Sequence, residues 1–554
     1  MVNPDRTVLM VAFEATPFVK VGGLAEVPSN LAKELVALGW RAYLALPSHA
    51  PPGRRGEEPV ARFATPLGEV FVGRASWGGV TYLLFSGSAL SDERVYAGEV
   101  MDQKVKLFSY GLSLLLLNAE KYGVVFPDVI HFHDWHSVYA LVKVKHDFQQ
   151  RKARTLFHVH LLVKKHVDPS IFEQLGVPLG WRHEVRVNGR SMDLTLGDVL
   201  RVSGGIAEKI GALEADRLVT VSESYLLDDV LPFVGGEFRG KSRVIYNATT
   251  WSLRGALEEV LGKHGQRLRS FAGRSEGFRR TEIRKYFLLR ALGELEEGEP
   301  EVPDERIKKL VYDLADPPMR GQGKVEPFMF DGPLAITTGR LARQKGFDLM
   351  VEAVPRVLRE LGEAKFVFLV LPVWGGEDYV YQLADLQREY PENVRAVFGV
   401  APSIYKLAHL ASDVFFAPSR WEPFGIMALE AMSTGNPLVA SRTGGLKEIV
   451  LDVNVYAERG TGILVRPDDP YELAEALRDL LAFMEASNTG RIEWYAGKIE
   501  NKTLRRMLEE YPDAGEILRK NCVDRVEKHF SWAASARTAD SIYRELLEGG
   551  QETL

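Results

Sequence analysis

The fold of this chain is organised around the stretch Glu422-Pro423-Phe424-Gly425-Ile426-Met427-Ala428-Leu429-Glu430, which follows the apolar run Asp413-Val414-Phe415-Phe416-Ala417-Pro418-Ser419. The apolar run predicts a buried strand. Pro423 suits the first position of a helix, where its missing N–H leaves no hydrogen bond unmade. From Ile426 onward, apolar residues recur near helical spacing. The stretch therefore predicts a strand followed directly by a short helix.

Two carboxylates belong to this predicted helix region: Glu422 lies at the helix entrance and Glu430 lies about two turns inside. At about 1.5 Å per residue they would stand roughly 12 Å apart along the axis. That is too far to share one proton, and beyond the roughly 5 Å that separates the carboxylates of retaining glycosidases. The spacing suits two carboxylates that hold different hydroxyl groups of one long ligand. The alternative is one surface glutamate and one capping glutamate, since a glutamate pair at this spacing arises easily by chance.

Bulk properties exclude several classes of protein. A chain of 554 residues predicts two domains plus insertions, and a net charge of −6 disfavours nucleic-acid binding. The single cysteine, Cys522, excludes a disulfide or a thiolate metal site within one chain. No signal-peptide pattern opens the chain, and its longest apolar stretch, residues 112–117, is too short for a membrane span. We therefore expect a cytoplasmic protein with no membrane and no nucleic-acid partner.

The N-terminal part of the chain predicts a strand, a loop, a helix and a second strand, at residues 7–14, 20–26, 27–38 and 41–47. The loop is Lys20-Val21-Gly22-Gly23-Leu24-Ala25-Glu26. Two glycines before a helix N-terminus let the backbone approach a diphosphate closely. The loop is not G-x-G-x-x-G, and Ser48 and His49 stand where a dehydrogenase has an acidic residue for the NAD ribose. An NAD-dependent dehydrogenase is therefore disfavoured.

A polar cluster ends the predicted strand Asp128-Val129-Ile130-His131-Phe132-His133-Asp134-Trp135-His136. A metal site is disfavoured because His131 and His133 share one strand face, Asp134 points away, and no His-x3-His pair follows. We expect instead the carboxyl end of a strand that faces a ligand cleft. The strand at residues 155–160 likewise ends in a histidine, His160, which could also be a hydrogen-bonded core residue.

The pattern changes in two other parts of the chain. Residues 51–100 predict a hairpin decoration, and strands at 219–222 and 243–247 close the first sheet. Residues 248–329 are dense in charge and carry no buried-strand pattern, which predicts a helical insertion. Its basic run, residues 274–285, favours a solvated helix face over a patch for an anionic partner.

A second strand-and-helix series begins at Pro333. Its first strand leads into Gly339-Arg340-Leu341-Ala342-Arg343-Gln344-Lys345-Gly346, and a later one into Thr443-Gly444-Gly445-Leu446. The second of these is another glycine turn at a helix N-terminus, again suited to phosphate. Further strands are predicted at residues 366–372, 394–399, 413–419, 437–441 and 462–466, and a last helix at about 533–547.

These motifs, in this order, resemble those of glycogen and starch synthases, and most of all the archaeal branch of that family. The resemblance covers roughly residues 7–250 and 331–550. It implies a GT-B fold, in which two Rossmann-like α/β domains face each other across a cleft. The implied boundaries are an N-terminal domain at 1–248, a helical insertion at 249–330, a C-terminal domain at 331–520, and a helical segment at 521–554 that crosses back to the N-terminal domain.

The family resemblance implies transfer of glucose, with retention, from ADP- or UDP-glucose to the non-reducing end of an α-1,4-glucan. Partners would be the nucleotide sugar and the glucan, a homo-oligomer is compatible with this, and no metal or other cofactor is needed. By resemblance, the donor diphosphate would meet Lys20, Arg340 and Lys345, with backbone contacts from Gly22, Gly23, Thr443, Gly444 and Gly445. Glu430 would hold the ribose, Glu26 would lie near the acceptor, and the transferred glucose would be surrounded by Glu422, Asp134 and His160.

The chain departs from the family pattern at two places. Asn247-Ala248 replaces the usual Asn-Gly, and Val400-Ala401-Pro402 stands where many bacterial members have an aromatic residue for stacking on the base. Tyr405 could compensate, so ADP and UDP both stay open. Three alternatives also stay open: a transferase that makes a small α-glucoside, a carbohydrate-binding protein without catalysis, and a pyridoxal-phosphate-dependent phosphorylase, although no segment demands a Schiff base.

Overall fold

The computed structural model describes residues 6–96, 98–150, 153–187, 190–511 and 513–548, so the predicted domain ends at 1–5 and 549–554 lie outside the described residues. The chain divides into two units: Met1–Ala248 with Ser531–Leu554, and Thr249–Phe530. The segment 249–330 is thus part of the second unit rather than a separate one. The return to the first unit begins at Ser531, ten residues later than the predicted 521.

Nine strands of the first unit form one sheet in the order β11-β10-β7-β6-β1-β2-β5-β4-β3. Its core is parallel, and β4 runs antiparallel to both of its neighbours. A separate hairpin consists of β8 and β9. The strands are β1 Arg6–Val11, β2 Trp40–Pro47, β3 Glu58–Thr65, β4 Gly68–Trp77, β5 Val80–Ser86, β6 Val129–His133, β7 Arg154–Val159, β8 Arg182–Val187, β9 Arg190–Thr195, β10 Arg217–Thr220 and β11 Ser242–Val244.

The first sheet shows that the predicted decoration at residues 51–100 is only half correct. Strands β3 and β4 do form a hairpin at the sheet edge, but β5 pairs parallel with β2 and is a member of the main sheet. Residues Tyr82, Leu83, Leu84 and Phe85 of β5 are fully buried. The first-unit helices before the crossover are α1 Glu26–Ala37, α2 Gly98–Leu117, α3 Val138–Asp147, α4 Ser170–Gln174, α5 Leu196–Val202, α6 Ala207–Glu214, α7 Glu223–Tyr225 and α8 Leu231–Val234.

The second unit begins with three helices, α9 Leu253–Ala272, α10 Arg280–Leu289 and α11 Glu305–Tyr312. Its sheet is parallel, in the order β14-β13-β12-β15-β16-β17. The strands are β12 Leu334–Arg340, β13 Lys365–Leu371, β14 Val394–Phe398, β15 Val414–Ala417, β16 Leu438–Ser441 and β17 Gly462–Val465. Counted from β12, this is the order 3-2-1-4-5-6 of a Rossmann sheet, and ligands bind at the carboxyl ends where the order reverses, between β12 and β15.

Helices cover both faces of this second sheet, and all have apolar faces typical of a doubly wound domain. They are α12 Phe347–Glu360, α13 Glu377–Glu389, α14 Pro402–Ala411, α15 Ile426–Ser433, α16 Leu446–Ile449, α17 Val453–Tyr456, α18 Pro470–Thr489, α19 Ile492–Ala496, α20 Lys502–Glu510 and α21 Ala514–His529. No helix among the described residues combines the length and the apolarity needed to cross a lipid bilayer.

Two arginines of α10 attach the insertion to the second unit. Arg284 is buried and pairs with Asp331, Asp413 and Glu485 at 2.9, 2.7 and 2.6 Å. The guanidinium of Arg280 donates to the carbonyl oxygens of His409, Ser412 and Thr434. Both interpretations of the basic run were therefore wrong for these residues, because the charges are satisfied inside the domain rather than by solvent or by a ligand.

The last helix, α22 Trp532–Glu548, packs on α1 within the first unit. The hydroxyl group of Tyr543 lies 2.7 Å from His131 Nδ1, and Trp40 Nε1 donates to Asp540 at 2.7 Å. The preceding helix, α21, belongs to the second unit instead, because its buried Arg519 pairs with Asp413 at 3.0 Å. This ion pair explains why the crossover starts at Ser531.

Candidate active site

The switch point of the second sheet carries two of the predicted cations. Arg340 ends β12 and is exposed, and Lys345 lies in the short helical turn Arg343–Lys345 that follows. Gly346 then opens α12 with φ +71°, and a Cβ there would lie 2.3 Å from Pro418 O. Only glycine fits this contact, which brings the loop of Lys345 against the end of β15.

Lys345 and Glu422 form an ion pair at this position, with Nζ 2.5 Å from Oε2. Glu422 is 8% exposed. Lys345 Nζ also lies 3.9 Å from Met427 Sδ. A carboxylate and an ammonium group are thus fixed side by side at the edge of the sheet where a Rossmann domain binds its ligand.

Helix α15 begins at Ile426, three residues later than predicted, so Pro423 is not its first residue. Gly425 precedes the helix with φ +109°, a conformation that breaks the helical path. The predicted 12 Å axial separation of the two glutamates assumed a continuous helix and does not apply. Glu422 lies in the loop, while Glu430 lies in α15 and accepts a hydrogen bond from Tyr405 at 3.2 Å. The two carboxylates nevertheless engage different partners.

The turn Thr443-Gly444-Gly445 packs directly on the loop of Glu422. Gly445 N donates to Glu422 O at 3.0 Å, so this amide is used within the chain rather than kept for a phosphate. A Cβ on Gly444 would lie 1.8 Å from Glu422 O, and one on Gly445 would lie 2.4 Å from Phe424 Cα. These glycines therefore position Glu422 through backbone contact. Thr443 remains half-buried beside them.

A cavity of about 410 Å³ opens beside Arg340 at the carboxyl ends of β12, β13 and β14. Its walls are mainly apolar, and it is lined by Leu371, Val400, Pro402, Tyr405, Lys406 and Glu259 among others. Sequence reasoning did not assign Glu259, which comes from helix α9 of the insertion. The cavity has a volume in the range of small-ligand pockets.

In the first unit, the predicted glycine loop and the start of α1 are tied together by Lys20. Its Nζ lies 2.7 Å from Glu26 Oε1, and Glu26 Oε2 accepts from Asn30 Nδ2 at 3.0 Å. Lys20 is exposed, while Glu26 is half-buried at the first position of the helix. A cation predicted for the donor and a carboxylate predicted for the acceptor are thus direct neighbours.

The glycine loop is held by Glu14, a residue that sequence reasoning missed. Glu14 is buried, and its Oε2 accepts hydrogen bonds from Val21 N at 2.6 Å and Gly22 N at 3.0 Å. Its Oε1 accepts from the Tyr96 hydroxyl group at 2.8 Å. A Cβ on Gly22 would lie 3.7 Å from the nearest atom, an ordinary contact. Nothing within the described chain therefore requires glycine there.

Asp134 and His160 meet at the carboxyl ends of β6 and β7. Asp134 Oδ1 accepts from His160 N at 2.7 Å, and Asp134 itself has φ +58°, which is unusual for a residue with a side chain. Burial raises the pKa of the Asp134 carboxyl group to about 7. His160 Nε2 lies 2.9 Å from His133 Nδ1, and burial lowers the pKa of His160 well below its usual value. A carboxyl group with a raised pKa thus accepts from the backbone of the residue that carries a neutral imidazole.

Within the polar cluster that was predicted to face a ligand cleft, His131 and His133 are buried in the core. His131, His133 and His158 are fully buried, and each can offer one ring nitrogen within 4.8 Å of the others. His158 comes from the neighbouring strand, so the spacing along β6 alone could not reveal this group. Burial lowers the pKa of each ring, which leaves them neutral. Neutral imidazole is the form that binds a metal ion, so this group could offer three nitrogen ligands, with no carboxylate among them.

Comparison with known proteins shows what each of the two units resembles. Residues 7–241 match the family described as "Starch synthase catalytic domain", and residues 324–488 match "Glycosyl transferases group 1". The glycogen synthases of Thermus thermophilus and Bacillus licheniformis are 29% and 24% identical, and the alignments cover 98% and 99% of this chain and 99% of each enzyme.

A structural comparison gives the fold independently. The catalytic domain of Arabidopsis thaliana starch synthase IV, bound to ADP and acarbose, has a TM-score of 0.64 at 20% identity and covers 98% of this chain and 99% of its own. Sucrose-phosphate synthase of Thermosynechococcus elongatus has a TM-score of 0.53 at 19% identity, and covers 98% and 100%. The chain thus resembles glycogen synthases over nearly its whole length and has the GT-B fold of starch synthase IV.

Proposed function

We propose that this protein is a retaining glucan synthase, which transfers glucose from a nucleotide sugar to the non-reducing end of an α-1,4-glucan. The observation that carries the proposal is the Lys345–Glu422 ion pair beside exposed Arg340, at the switch point of the second sheet. Cations and a carboxylate at this edge fit a ligand that has both a diphosphate and a sugar.

The two cations suit the departure of the nucleoside diphosphate. Negative charge grows on the diphosphate as its bond to glucose breaks, and fixed cations stabilise that charge more than they stabilise the bound donor. Arg340 lines the cavity of about 410 Å³, and Lys345 is held by Glu422. We assign both residues to the leaving diphosphate, with backbone contacts from Thr443 and Gly444.

The carboxylates suit hydroxyl groups of the donor. Glu430 accepts from Tyr405, which itself lines the cavity, so a nucleoside in the cavity would bring its ribose near Glu430. Glu422 lies beside Lys345, so it would face the glucose next to the diphosphate. We assign Glu430 to the ribose and Glu422 to the transferred glucose.

In the first unit, we assign Asp134 and His160 to the transferred glucose, since a carboxyl group and a neutral imidazole can both accept or donate hydrogen bonds to sugar hydroxyl groups. Lys20, Gly22 and Gly23 would contribute to the donor diphosphate, and Glu26 would lie near the acceptor. The departing phosphate oxygen can take the proton of the acceptor O4 on the same face of the sugar. This front-face substitution retains the configuration without a dedicated nucleophile or a metal.

The proposal agrees with what related proteins do. The relatives that align with nearly the whole chain are glycogen synthases, and the starch synthase IV neighbour carries ADP and the oligosaccharide-like acarbose. The test is product analysis with ADP-glucose and UDP-glucose in parallel, with and without a maltooligosaccharide primer. We expect primer-dependent chain extension with α linkages by NMR. Formation of only a small soluble α-glucoside, or no nucleotide release at all, would contradict the proposal.

A further inference from the structure

The helical insertion reaches the proposed nucleotide pocket. Helix α9 packs on α14, and its residue Glu259 lines the cavity of about 410 Å³ together with Lys406 of α14. Both residues lie in the second unit, as does the rest of the cavity. An ionisable residue of the insertion is therefore part of the wall of a site whose other walls come from the Rossmann sheet.

Glu259 is held in place by two lysines. Its Oε2 pairs with Lys406, and its Oε1 accepts from Lys263 Nζ at 3.2 Å. Lys406 is restrained on its other side, with its Nζ 5.1 Å from the ring centre of Trp251. The hydrogen bond from Lys406 lowers the pKa of Glu259, so the carboxylate stays ionised. A carboxylate has about four acceptor positions, so two lysine bonds leave capacity for a ligand.

The neighbouring residues define which part of a nucleotide meets Glu259. Arg340 lies at the diphosphate end, and Tyr405 connects the cavity to Glu430, the residue assigned to the ribose. The space between Leu371, Val400 and Pro402 is apolar and suits a planar base. The base edge that points away from the ribose then meets the Glu259–Lys406 pair.

We propose that Glu259 determines the base specificity of the donor by accepting a hydrogen bond from the exocyclic amino group of adenine, so that ADP-glucose is preferred to UDP-glucose. This inference rests on the proposed function. Adenine presents an amino donor on this edge, whereas uracil presents two carbonyl oxygens that flank a single N–H group. A fixed carboxylate can therefore accept from the amino group of adenine, whereas at the same position uracil has a carbonyl oxygen, a second acceptor that cannot donate to the carboxylate.

The experiment compares the wild-type enzyme with Glu259→Gln and with Glu258→Gln. Glu258 is the adjacent residue on α9, is exposed and pairs with Arg254, so it is a matched control. The neutral amide keeps the shape of the side chain but removes its charge, and its NH₂ group can donate to a uracil oxygen. The readouts are kcat/KM for each donor, and the Kd of free ADP and free UDP by calorimetry.

We expect Glu259→Gln to lower the ADP-glucose to UDP-glucose ratio of kcat/KM by about tenfold or more, as loss of one base-specific contact typically does. The Kd ratio of ADP to UDP should change in parallel, and Glu258→Gln should leave both ratios unchanged. Equal effects of Glu259→Gln on both nucleotides, or none, would overturn the inference while leaving glucan synthesis intact. A wild-type protein that binds neither nucleotide would instead contradict the proposed function.

Discussion

The two glycine turns of this protein have similar sequences but different physical reasons for glycine. Gly444 and Gly445 press against the backbone of the Glu422 loop, with no room for a Cβ. Gly22 has an extended backbone and 3.7 Å of clearance, and its amide is held by Glu14. A glycine pair before a helix thus indicates close backbone approach without telling whether the partner is the chain itself or a ligand.

The turn of the second unit therefore packs against its own unit, whereas the turn of the first unit has room for a side chain at Gly22. In the second unit, Gly444 and Gly445 pack against the loop of Glu422, and Lys345 forms an ion pair with Glu422. In the first unit, a Cβ on Gly22 would make only an ordinary contact, 3.7 Å from Glu14 Oε1. We expect substitutions of Gly444 or Gly445 to lower both the stability of the protein and kcat. Substitutions of Gly22 should weaken binding of the nucleotide sugar without changing stability.

The largest effect is expected for Lys345→Ala. Removal of a fixed group that stabilises developing charge typically lowers kcat by about 10²–10³. We expect a loss of at least this size, with a smaller change in the KM for the nucleotide sugar, measured by nucleotide release at saturating primer.

The control is Arg343→Ala, an exposed cation in the same turn, which should retain near-normal kinetics. If Lys345→Ala kept a near-normal kcat and raised only KM, Lys345 would serve as a clamp for the bound donor rather than for the transition state.

Gly444→Ala should have the next largest effect. The new methyl group would lie 1.8 Å from Glu422 O at φ +43°, so the loop of Glu422 must move. Such overpacking typically lowers the free energy of unfolding by about 1–3 kcal/mol. We expect a lower Tm together with a lower kcat, by calorimetry and by nucleotide release. Gly497→Ala, with no atom within 4 Å of the added Cβ, is the control; an unchanged kcat in Gly444→Ala would break the contrast between the two turns.

Gly22→Ala should weaken binding of the nucleotide sugar without lowering the stability of the protein. The added Cβ makes only an ordinary contact, so the free energy of unfolding should change by less than about 0.5 kcal/mol. A diphosphate that approaches the backbone would meet the methyl group, so the KM for the nucleotide sugar should rise several-fold. A fall in Tm like that of Gly444→Ala, or an unchanged KM, would show that the two glycine turns do not differ in this way.

Alternating strands and helices were predictable from sequence because each buried strand is a short apolar run and each helix has a periodic apolar face. All six second-unit strands were located in this way. The helix start at Pro423 was wrong because Gly425, with φ +109°, breaks the backbone just before Ile426. A local pattern allows proline at the first helical position, but it does not reveal that Gly425 packs close to Leu446, where an added Cβ would lie 2.9 Å from Leu446 Cδ2.

Residues whose partners are far apart in the chain were the ones that sequence reasoning missed. Arg284 looks like a solvated cation until Asp413 and Glu485, more than a hundred residues away, surround it. Glu259 belongs to a segment without a recognised motif and reaches the pocket only through the packing of α9 on α14. Glu14 lies at the end of the first predicted strand, just before the glycine loop. An acidic residue at that position could have indicated that it accepts hydrogen bonds from the loop backbone.

The smallest effect is expected for metal removal. This prediction rests on a contrast between a charged buried cluster in the second unit and a neutral buried cluster in the first. The buried polar cluster of the second unit balances Arg284 and Arg519 against Asp413 and Glu485. The cluster of the first unit, His131, His133 and His158, is neutral because burial lowers the pKa of each ring.

Neutral imidazole is also the form that binds a divalent cation, but this group is fully buried and includes no carboxylate, so we expect it to be a packed core cluster rather than an occupied metal site. The proposed front-face reaction needs no metal, because we propose that Arg340 and Lys345 balance the charge of the diphosphate. Prolonged dialysis against EDTA should therefore leave both Tm and kcat unchanged, with elemental analysis to verify that metal is absent. A loss of activity that a divalent ion restores in the wild type but not in His158→Thr would place a functional metal at the histidine cluster and would reverse this conclusion.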